Sequence, residues 1–148
     1  MHPTSEFTTG PYNGQPARMV ELSPEKCTNL LKGHHIGRVA LCDERGLSLF
    51  PVNYVFDGTR LAIRSDVGSR LATSVQQQVA FEIDDISDQS RTGWSVIVTG
   101  TAYDISDALD SDSESMRALP VDPWAPGRKT CWVRIEPRSI TGRLVGPA

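Results

Sequence analysis

Two arginines and two serines lie close together in the stretch from Arg64 to Arg70. Arg64 and Ser65 end a predicted strand, and Ser69 and Arg70 follow Gly68 at the predicted start of a short helix. Free N–H groups and the dipole at a helix start favour negative charge, and guanidinium groups add charge-assisted hydrogen bonds. The stretch therefore has the composition of a phosphate-binding site. An ordinary loop with two solvated arginines has the same composition, so the residues alone leave both interpretations open.

A predicted β-hairpin positions this stretch. The strand from Leu47 to Phe56 is rich in β-branched and aromatic residues, which suit a pleated, half-buried surface. Asp57-Gly58 predicts a tight turn, because glycine accepts the positive φ of hairpin turns. The return strand over 60–65 has a two-residue alternation, and a short helix is predicted over 69–77. Pro51 cannot donate to a ladder, so it is expected at an edge, a bulge or a ligand-facing position.

The composition predicts a single globular domain. A chain of 148 residues with 39% hydrophobic and 22% charged residues is long enough and apolar enough to bury one core. Its net charge of −3 gives no electrostatic footprint for nucleic acid, and it shows neither an apolar run of membrane-span length nor a signal-peptide core. Three cysteines without metal-ligand spacing fit free thiols in a reducing cytoplasm. We therefore expect a cytoplasmic protein without nucleic-acid or membrane partners.

Hydrophobic periodicity predicts a mostly β domain with short α-helices. Residues 1–18 carry Pro and Gly without periodicity and are predicted to form a disordered tail, which leaves residues 19–148 as the domain. One helix is predicted from its cap Ser23 to Gly33, and another lies within 104–119. The remaining strands are predicted over residues 36–42, 79–84, 94–103, 131–135 and 140–144. Six or seven strands joined by hairpins predict an antiparallel barrel with helices packed outside.

Tryptophans and histidines are the other candidate site residues. Trp94, Trp124 and Trp132 either pack in a core or a dimer contact, or they form a wall of a ligand pocket. His34 and His35 are adjacent and face opposite ways in extended backbone, so they are not expected to share a metal. One of them can still be an axial haem ligand or a proton donor. The acidic stretch of the second predicted helix is interpreted as a solvated face, so no metal site is predicted.

Four short motifs occur in order along residues 22–144: Gly37-Arg38, Pro51-Val52-Asn53-Tyr54, Gly68-Ser69-Arg70 and Gly93-Trp94-Ser95-Val96. Together they resemble the pyridoxamine 5′-phosphate oxidase-like, FMN-binding split barrels. The most similar subgroup is the one that includes nitroimidazole-resistance proteins and flavin or deazaflavin oxidoreductases. The resemblance implies a split β-barrel and a homodimer with cofactor sites at the subunit interface.

The resemblance also implies roles for individual residues. The isoalloxazine ring would be lined by the backbone of four consecutive strand residues, Pro51, Val52, Asn53 and Tyr54. The phosphate would be held by the two arginines and two serines described above, Arg64, Ser65, Ser69 and Arg70. Trp94 would contribute to the wall of the cofactor pocket. The family usually has Lys where this chain has Arg70, and either cation can pair with phosphate.

These expectations favour an FMN-dependent oxidoreductase that acts on a small organic substrate, since a flavin supplies the electron chemistry and the protein supplies binding and orientation. No residue is assigned as catalytic. Two alternatives stay open: an oxidoreductase that uses the deazaflavin coenzyme, and a non-enzymatic protein that carries flavin or haem on the same fold. Arg134, Arg138 and Arg143 do not align with the substrate-phosphate residues of true pyridoxamine phosphate oxidases, so oxidation of pyridoxamine phosphate is not expected.

Overall fold

The computed structural model describes residues 17–72 and 76–147, which form one seven-stranded antiparallel sheet and two short helices. The strands are β1 (Ala17–Glu21), β2 (Ile36–Asp43), β3 (Gly46–Phe56), β4 (Leu61–Ser65), β5 (Gln78–Ser87), β6 (Thr92–Asp104) and β7 (Cys131–Pro147). The helices are α1 (Pro24–Gly33) and α2 (Ser111–Arg117). The predicted mostly β class with short helices is confirmed.

The sheet closes on itself into a barrel-like ring. Its strand order is β1-β7-β4-β3-β2-β5-β6, and β6 also pairs with β7, so six strands form the ring and β1 joins it along β7. The long strand β7 makes this closure. Its residues Cys131–Ile135 pair with β4, and its residues from Val133 onwards pair with β6. Ring closure leaves few exposed sheet edges, so a place where two neighbouring strands part is distinctive.

Alternating apolar side chains fill the ring. Val39, Phe81, Val98 and Ile135 are fully buried, and the ring of Phe81 meets that of Tyr54 edge to face, with centroids 4.8 Å apart. This two-residue alternation is the pattern that predicted the strands, and it leaves the intervening side chains on the outer face of the barrel.

The two helices pack outside the ring. Helix α1 begins after its cap Ser23, whose hydroxyl accepts from the backbone N–H of Lys26, and it buries Cys27 and Leu31 against the ring. Helix α2 buries Met116 in a smaller apolar cluster on the outer face of β4. Both helices therefore cover the barrel without entering it.

Strand β1 is not among the predicted strands. All five of its residues are exposed, so no burial pattern marks it in the sequence, and it is held by pairing with the end of β7. Ala17 and Arg18, assigned above to the tail, lie in this strand. Residues 1–16 of the predicted tail lie outside the described part of the chain.

Strand β7 is one continuous strand, although two strands were predicted on either side of Pro137. Pro137 lies opposite Gly100, at an irregularity in the β6–β7 register, and such an irregularity tolerates a residue without an N–H. A Cβ on Gly100 would collide with the backbone oxygen of Glu136. The lack of a side chain at Gly100 therefore allows the two backbones to approach closely at this irregularity.

The helix predicted over 69–77 is not found in the described residues of that range. Residues 70–72 and 76 form turns, and residues 73–75 lie outside the described part. The hydroxyl of Ser69 accepts from the backbone N–H of Ala72, as a helix cap does, but Gln76 has a φ of 60°, which no right-handed helix contains. The helix dipole therefore does not support the predicted phosphate cradle, and side chains must supply the charge.

The cysteines Cys27, Cys42 and Cys131 carry free thiols, as their spacing predicts. No helix in the described ranges is long and apolar enough to cross a membrane.

Candidate functional site

The site lies where β3 and β4 part. The two strands pair only from Tyr54 to Phe56 on β3 and from Leu61 to Ile63 on β4. Before Tyr54, β3 pairs with β2 alone, and after Ile63, β4 pairs with β7 alone. The resulting gap opens into a pocket with a cavity volume of about 300 Å³.

Strand β3 turns unpaired backbone groups toward this gap. The backbone N–H of Tyr54 donates to the oxygen of His35 on the β2 side, at 3.0 Å. Because successive residues of a strand direct their polar groups to opposite edges, Pro51 and Asn53 direct theirs toward the gap. Pro51 has no N–H to leave unpaired, and of the edge, bulge or ligand-facing positions expected for it, the structure gives it the unpaired edge of β3.

The pocket brings together seven of the nine predicted cofactor residues: Pro51, Val52, Asn53, Arg64, Ser65, Ser69 and Arg70. The other two lie elsewhere. Tyr54 is buried in the core, where its hydroxyl donates to the backbone oxygen of Leu31 at 2.8 Å and burial raises its pKa well above the usual range. Trp94 lines a separate groove.

Arg70 is fixed to the hairpin between β2 and β3. Its Nε and Nη2 donate to the two carboxylate oxygens of Asp43, at 3.0 and 2.5 Å. Nη2 also donates to the backbone oxygen of Gly46 at 2.8 Å, and Nη1 to the hydroxyl of Ser48. This bidentate pair lowers the pKa of Asp43 to about 2. Arg70 therefore stands in the pocket wall as a positive charge of fixed geometry.

Arg64 is held by other contacts than Arg70. Its guanidinium lies 5.4 Å from the ring centroid of Trp132, a cation–π distance. Its Nε donates to the backbone oxygen of Lys129 at 3.1 Å, and its Nη1 to that of Val121 at 3.3 Å. Both acceptors belong to the segment between α2 and β7, residues 120–130, which we call the strap.

The strap covers the pocket and is tied to it at further points. The backbone N–H of Trp124 donates to Oδ1 of Asn53 at 2.9 Å. Nζ of Lys129 forms an ion pair with Oδ2 of Asp66 at 2.7 Å. Pro123 of the strap lines the cavity. Sequence analysis did not single out Lys129 and Asp66, because their pairing spans 63 positions and no local pattern marks it.

Two serine hydroxyls stand at the end of β4. The Oγ atoms of Ser65 and Ser69 are 2.5 Å apart, and the backbone N–H of Ser69 donates to the oxygen of Asp66 at 3.1 Å. These bonds shape the turn after β4 so that both hydroxyls line the pocket beside Arg70. The predicted cluster of two arginines and two serines is therefore assembled in space.

Trp94 belongs to a second groove, formed by β1, the β5–β6 hairpin and β7. The groove has a volume of about 700 Å³ and is lined by Met19, Trp94, Arg91 and Arg143 among others. The ring of Trp94 meets that of His34 edge to face at 4.9 Å. Within residues 17–72 and 76–147, Arg91 and Arg143 form no hydrogen bond or ion pair through their side chains.

The histidines do not form a metal cluster with other described residues. Nδ1 of His34 lies 2.7 Å from the backbone oxygen of Leu30, which orients the ring, and His35 is exposed. In the part of the chain that the structure describes, no three His, Cys, Asp or Glu side chains are arranged to hold a metal ion.

Known proteins resemble this chain over nearly all the residues that form the barrel. Residues 23–144 match the sequence profile of the family described as pyridoxamine 5′-phosphate oxidase. An uncharacterized protein of Mycobacterium tuberculosis is 36% identical over 130 residues, which cover 84% of this chain and 84% of that one. The FAD binding protein of Mycobacterium smegmatis has a similar structure, with a TM-score of 0.63 and 29% identity, over 86% of this chain and 98% of that one. A conserved protein of unknown function from Corynebacterium diphtheriae is similar with a TM-score of 0.69 and 29% identity, over 84% and 96% of the two chains.

Proposed function

The chain belongs to the pyridoxamine 5′-phosphate oxidase family, and we propose that it is an oxidoreductase that binds FMN in the pocket between β3 and β4. The observation that carries this proposal is the parting of the two strands at Tyr54, beside a wall of Ser, Arg and Lys side chains. A flat ring can lie against the strand edge, while a phosphate can lie against the polar wall.

The donor set of the polar wall suits a phosphate. Arg64 and Arg70 supply positive charge, and Ser65 and Ser69 supply hydroxyl groups, so the wall can make charge-assisted hydrogen bonds to phosphate oxygens. Both guanidinium groups are already held by the strap and by the β2–β3 hairpin. Groups that are ordered before the ligand arrives lower the entropic cost of binding.

The wall along β3 suits an isoalloxazine ring. Pro51 and Val52 contribute apolar surface, and the backbone of Asn53 directs its polar groups to the gap. The side-chain oxygen of Asn53 already accepts from Trp124, so its NH₂ group is the part that would donate to the polar edge of the ring. The family resemblance implies this role for the Pro51–Tyr54 backbone, and Pro51, Val52 and Asn53 of that stretch line the pocket.

The chemistry would come from the bound flavin, which supplies electron transfer, and the protein's residues bind and orient it. Among the described residues, the titratable side chains that line the pocket are Asp66, Lys129 and the two arginines. Asp66 and Lys129 are paired with each other, and both guanidinium groups are held by protein acceptors, so none of them is assigned as a general acid or base. The proposed activity is therefore electron transfer between a reductant and a small organic substrate.

FAD is a second candidate cofactor. The Mycobacterium smegmatis protein, 29% identical to this chain, is a FAD binding protein, and FAD shares its flavin ring and first phosphate with FMN. The cavity volume of about 300 Å³ is at the lower end of the range for ligand pockets, roughly 300–1,000 Å³. This cavity is bounded by one chain, and a partner chain would add to its walls in the proposed interface site, so the mass of the released cofactor distinguishes FMN from FAD.

The proposal includes a homodimer with the pocket at the subunit interface. Leu47 and Leu49 alternate on the outer face of β3, next to Pro51, and are 85% and 72% exposed. Trp124 on the strap is also 72% exposed. Apolar patches of this kind are seldom left uncovered on a monomer. Sedimentation at micromolar concentration should give a dimer mass, and a monomer mass would count against an interface site.

The cofactor that accompanies the purified protein tests the proposal. We expect the absorbance bands of an oxidised flavin, and the mass of FMN after denaturation releases the ligand. The mass of FAD would support the second candidate instead. A haem Soret band, a deazaflavin spectrum or failure to retain added FMN would contradict the FMN proposal. Reduction of the bound flavin by a nicotinamide nucleotide, followed by reoxidation by a small acceptor, would separate an enzyme from a carrier.

A further inference from the structure

We propose that Lys129 is a third phosphate-binding cation of this pocket and that Asp66 competes with the phosphate for it. The inference rests on the proposed function, because the anion is the phosphate of the flavin. Nζ of Lys129 lies 2.7 Å from Oδ2 of Asp66. Both side chains line the cavity, together with Ser69 and Arg70. The ammonium therefore already lies at the wall where the phosphate is expected.

Lys129 differs from the two arginines in how it is held. The guanidinium of Arg70 makes at least four hydrogen bonds to the β2–β3 hairpin, and that of Arg64 makes at least two to the strap. Among the described residues, the ammonium of Lys129 has one polar partner, Asp66. A lysine also has a flexible stem and three rotatable donors. Lys129 is thus the cation of the wall that can turn to a ligand with the loss of a single contact.

The surroundings of the pair favour this exchange. The side chain of Lys129 is 16% exposed, whereas that of Asp66 is 46% exposed. When the ammonium turns to a phosphate, the carboxylate of Asp66 can be hydrated where it stands. Partly exposed ion pairs contribute little to stability. An ammonium–phosphate hydrogen bond inside a pocket is charge-assisted, and solvent and salt screen it less than they screen an exposed pair. The phosphate should therefore win the competition.

Asp66 also contacts the strap at Gly127. A Cβ on Gly127 would lie 2.6 Å from Oδ1 of Asp66, so the carboxylate lies directly against the glycine. This contact defines the competing explanation, in which the Lys129–Asp66 pair only fastens the strap. Both explanations predict that loss of Lys129 weakens binding, but they differ in sign for Asp66. Competition predicts that Asp66→Asn strengthens FMN binding, whereas a simple fastening predicts that it weakens the binding of every flavin.

The test measures FMN and riboflavin dissociation constants by flavin fluorescence, with flavin-free full-length protein. We expect Lys129→Met to weaken FMN binding about 10- to 150-fold and to change riboflavin binding by less than about twofold. We expect Asp66→Asn to strengthen FMN binding about two- to fivefold and to leave riboflavin unchanged. Arg128→Met is the matched control. Arg128 is the exposed cation next to Lys129 on the strap, and it is not among the described residues that line the pocket.

Two results would overturn the inference: weaker FMN binding by Asp66→Asn, or equal losses of FMN and riboflavin in Lys129→Met. Lys129→Gln, which keeps a polar side chain, repeats the measurement if thermal melting shows that the Met variant is unfolded. If wild-type protein binds neither flavin, the proposed function itself fails. If wild-type protein binds FMN and the Lys129 variants bind it equally well, only the role of Lys129 fails.

Discussion

Two regions of the protein each contain a pair of arginines and a pair of serines, and they hold the arginines differently. In the pocket between β3 and β4, Arg64 donates to two strap carbonyls and Arg70 forms a bidentate pair with Asp43. In the groove that contains Trp94, the exposed Arg91 and Arg143 have no side-chain hydrogen bond or ion pair within residues 17–72 and 76–147.

This difference in how the arginines are held distinguishes a preorganised anion site from an ordinary basic surface. An arginine already held by protein acceptors presents its charge in one geometry, so a ligand need not order it. A solvated arginine loses rotamer freedom when it binds, at a cost of up to about 2 kcal/mol. Arginine and serine alone do not distinguish the two regions, because both regions contain them. The contacts that hold the arginines do distinguish the pocket from the groove.

The largest effect is expected for Arg70→Ala. This variant loses a pocket cation and also the bidentate pair that joins the turn after β4 to the β2–β3 hairpin. Loss of a charged hydrogen-bond partner costs roughly 1.5–3 kcal/mol, so FMN affinity should fall about 10- to 150-fold in a fluorescence titration. Arg70→Lys keeps the charge and should retain part of that affinity.

The matched control in the groove is Arg91→Ala, which should change FMN affinity by less than about twofold. A larger loss of FMN affinity in Arg91→Ala than in Arg70→Ala would contradict the comparison between the two regions.

Gly127→Ala should loosen the strap. Gly127 has a φ of +126°, and a Cβ at this position would lie 2.6 Å from Oδ1 of Asp66. Backbone strain of this kind costs about 1–3 kcal/mol, which denaturant unfolding would measure. Because Pro123, Ala125 and Lys129 of the strap line the pocket, FMN and riboflavin should both bind more weakly. The control is Gly146→Ala, near the groove, where the nearest atom to the added Cβ is Cγ2 of Thr92 at 3.9 Å; equal destabilisation by both variants would contradict the role of the strap contact.

Tyr54→Phe should affect the fold and not the pocket. The variant removes the buried hydrogen bond from the Tyr54 hydroxyl to the oxygen of Leu31, which costs about 0.5–1.5 kcal/mol of unfolding free energy. Flavin affinity should be unchanged, because the Tyr54 side chain points into the barrel while only the backbone before it borders the gap. Tyr103→Phe, on a partly exposed tyrosine, serves as the control for loss of a hydroxyl. A drop in FMN affinity without a drop in stability would place the Tyr54 hydroxyl in the site.

The smallest effect is the pH dependence of the Arg70–Asp43 pair. This pair lowers the pKa of Asp43 from 3.8 to about 2. A carboxyl group with a lower pKa in the folded chain stabilises the fold above its unfolded pKa and loses that contribution as the pH falls through the folded value. Asp43→Asn should therefore be less stable than wild type near neutral pH, and the difference in melting temperature should shrink as the pH falls from about 4 to about 2. A difference that persists below the folded pKa would have another cause.

Local patterns in the sequence predicted the features that depend on neighbouring residues. The alternation and the Asp57-Gly58 turn indicated the hairpin, and the missing N–H of Pro51 indicated its position at the gap. The family resemblance, and no local pattern, grouped the backbone of Tyr54 with the site, and strand alternation sends the Tyr54 side chain into the core. Local reasoning also predicted a helix after Ser69, which the described residues replace with turns.

Contacts between distant residues were not predictable from local patterns. Arg70 and Asp43 are 27 positions apart, and Lys129 and Asp66 are 63 positions apart. The second pair meets only because the start of β7 pairs with the end of β4. Sequence reasoning found the cations of Arg64 and Arg70 but not the groups that hold them, and those groups distinguish the pocket from the groove.

The central claim is that the pocket between β3 and β4 recognises the phosphate of a flavin. The most direct test is the ratio of the riboflavin dissociation constant to the FMN dissociation constant in Arg64→Ala and in Arg143→Ala. Riboflavin lacks only the phosphate, so general damage to the pocket weakens both ligands and cancels in the ratio. We predict that the ratio falls about 10- to 150-fold in Arg64→Ala and stays unchanged in Arg143→Ala, which lies in the groove. An unchanged ratio in Arg64→Ala, or an equal fall in Arg143→Ala, would contradict the assignment of the phosphate site.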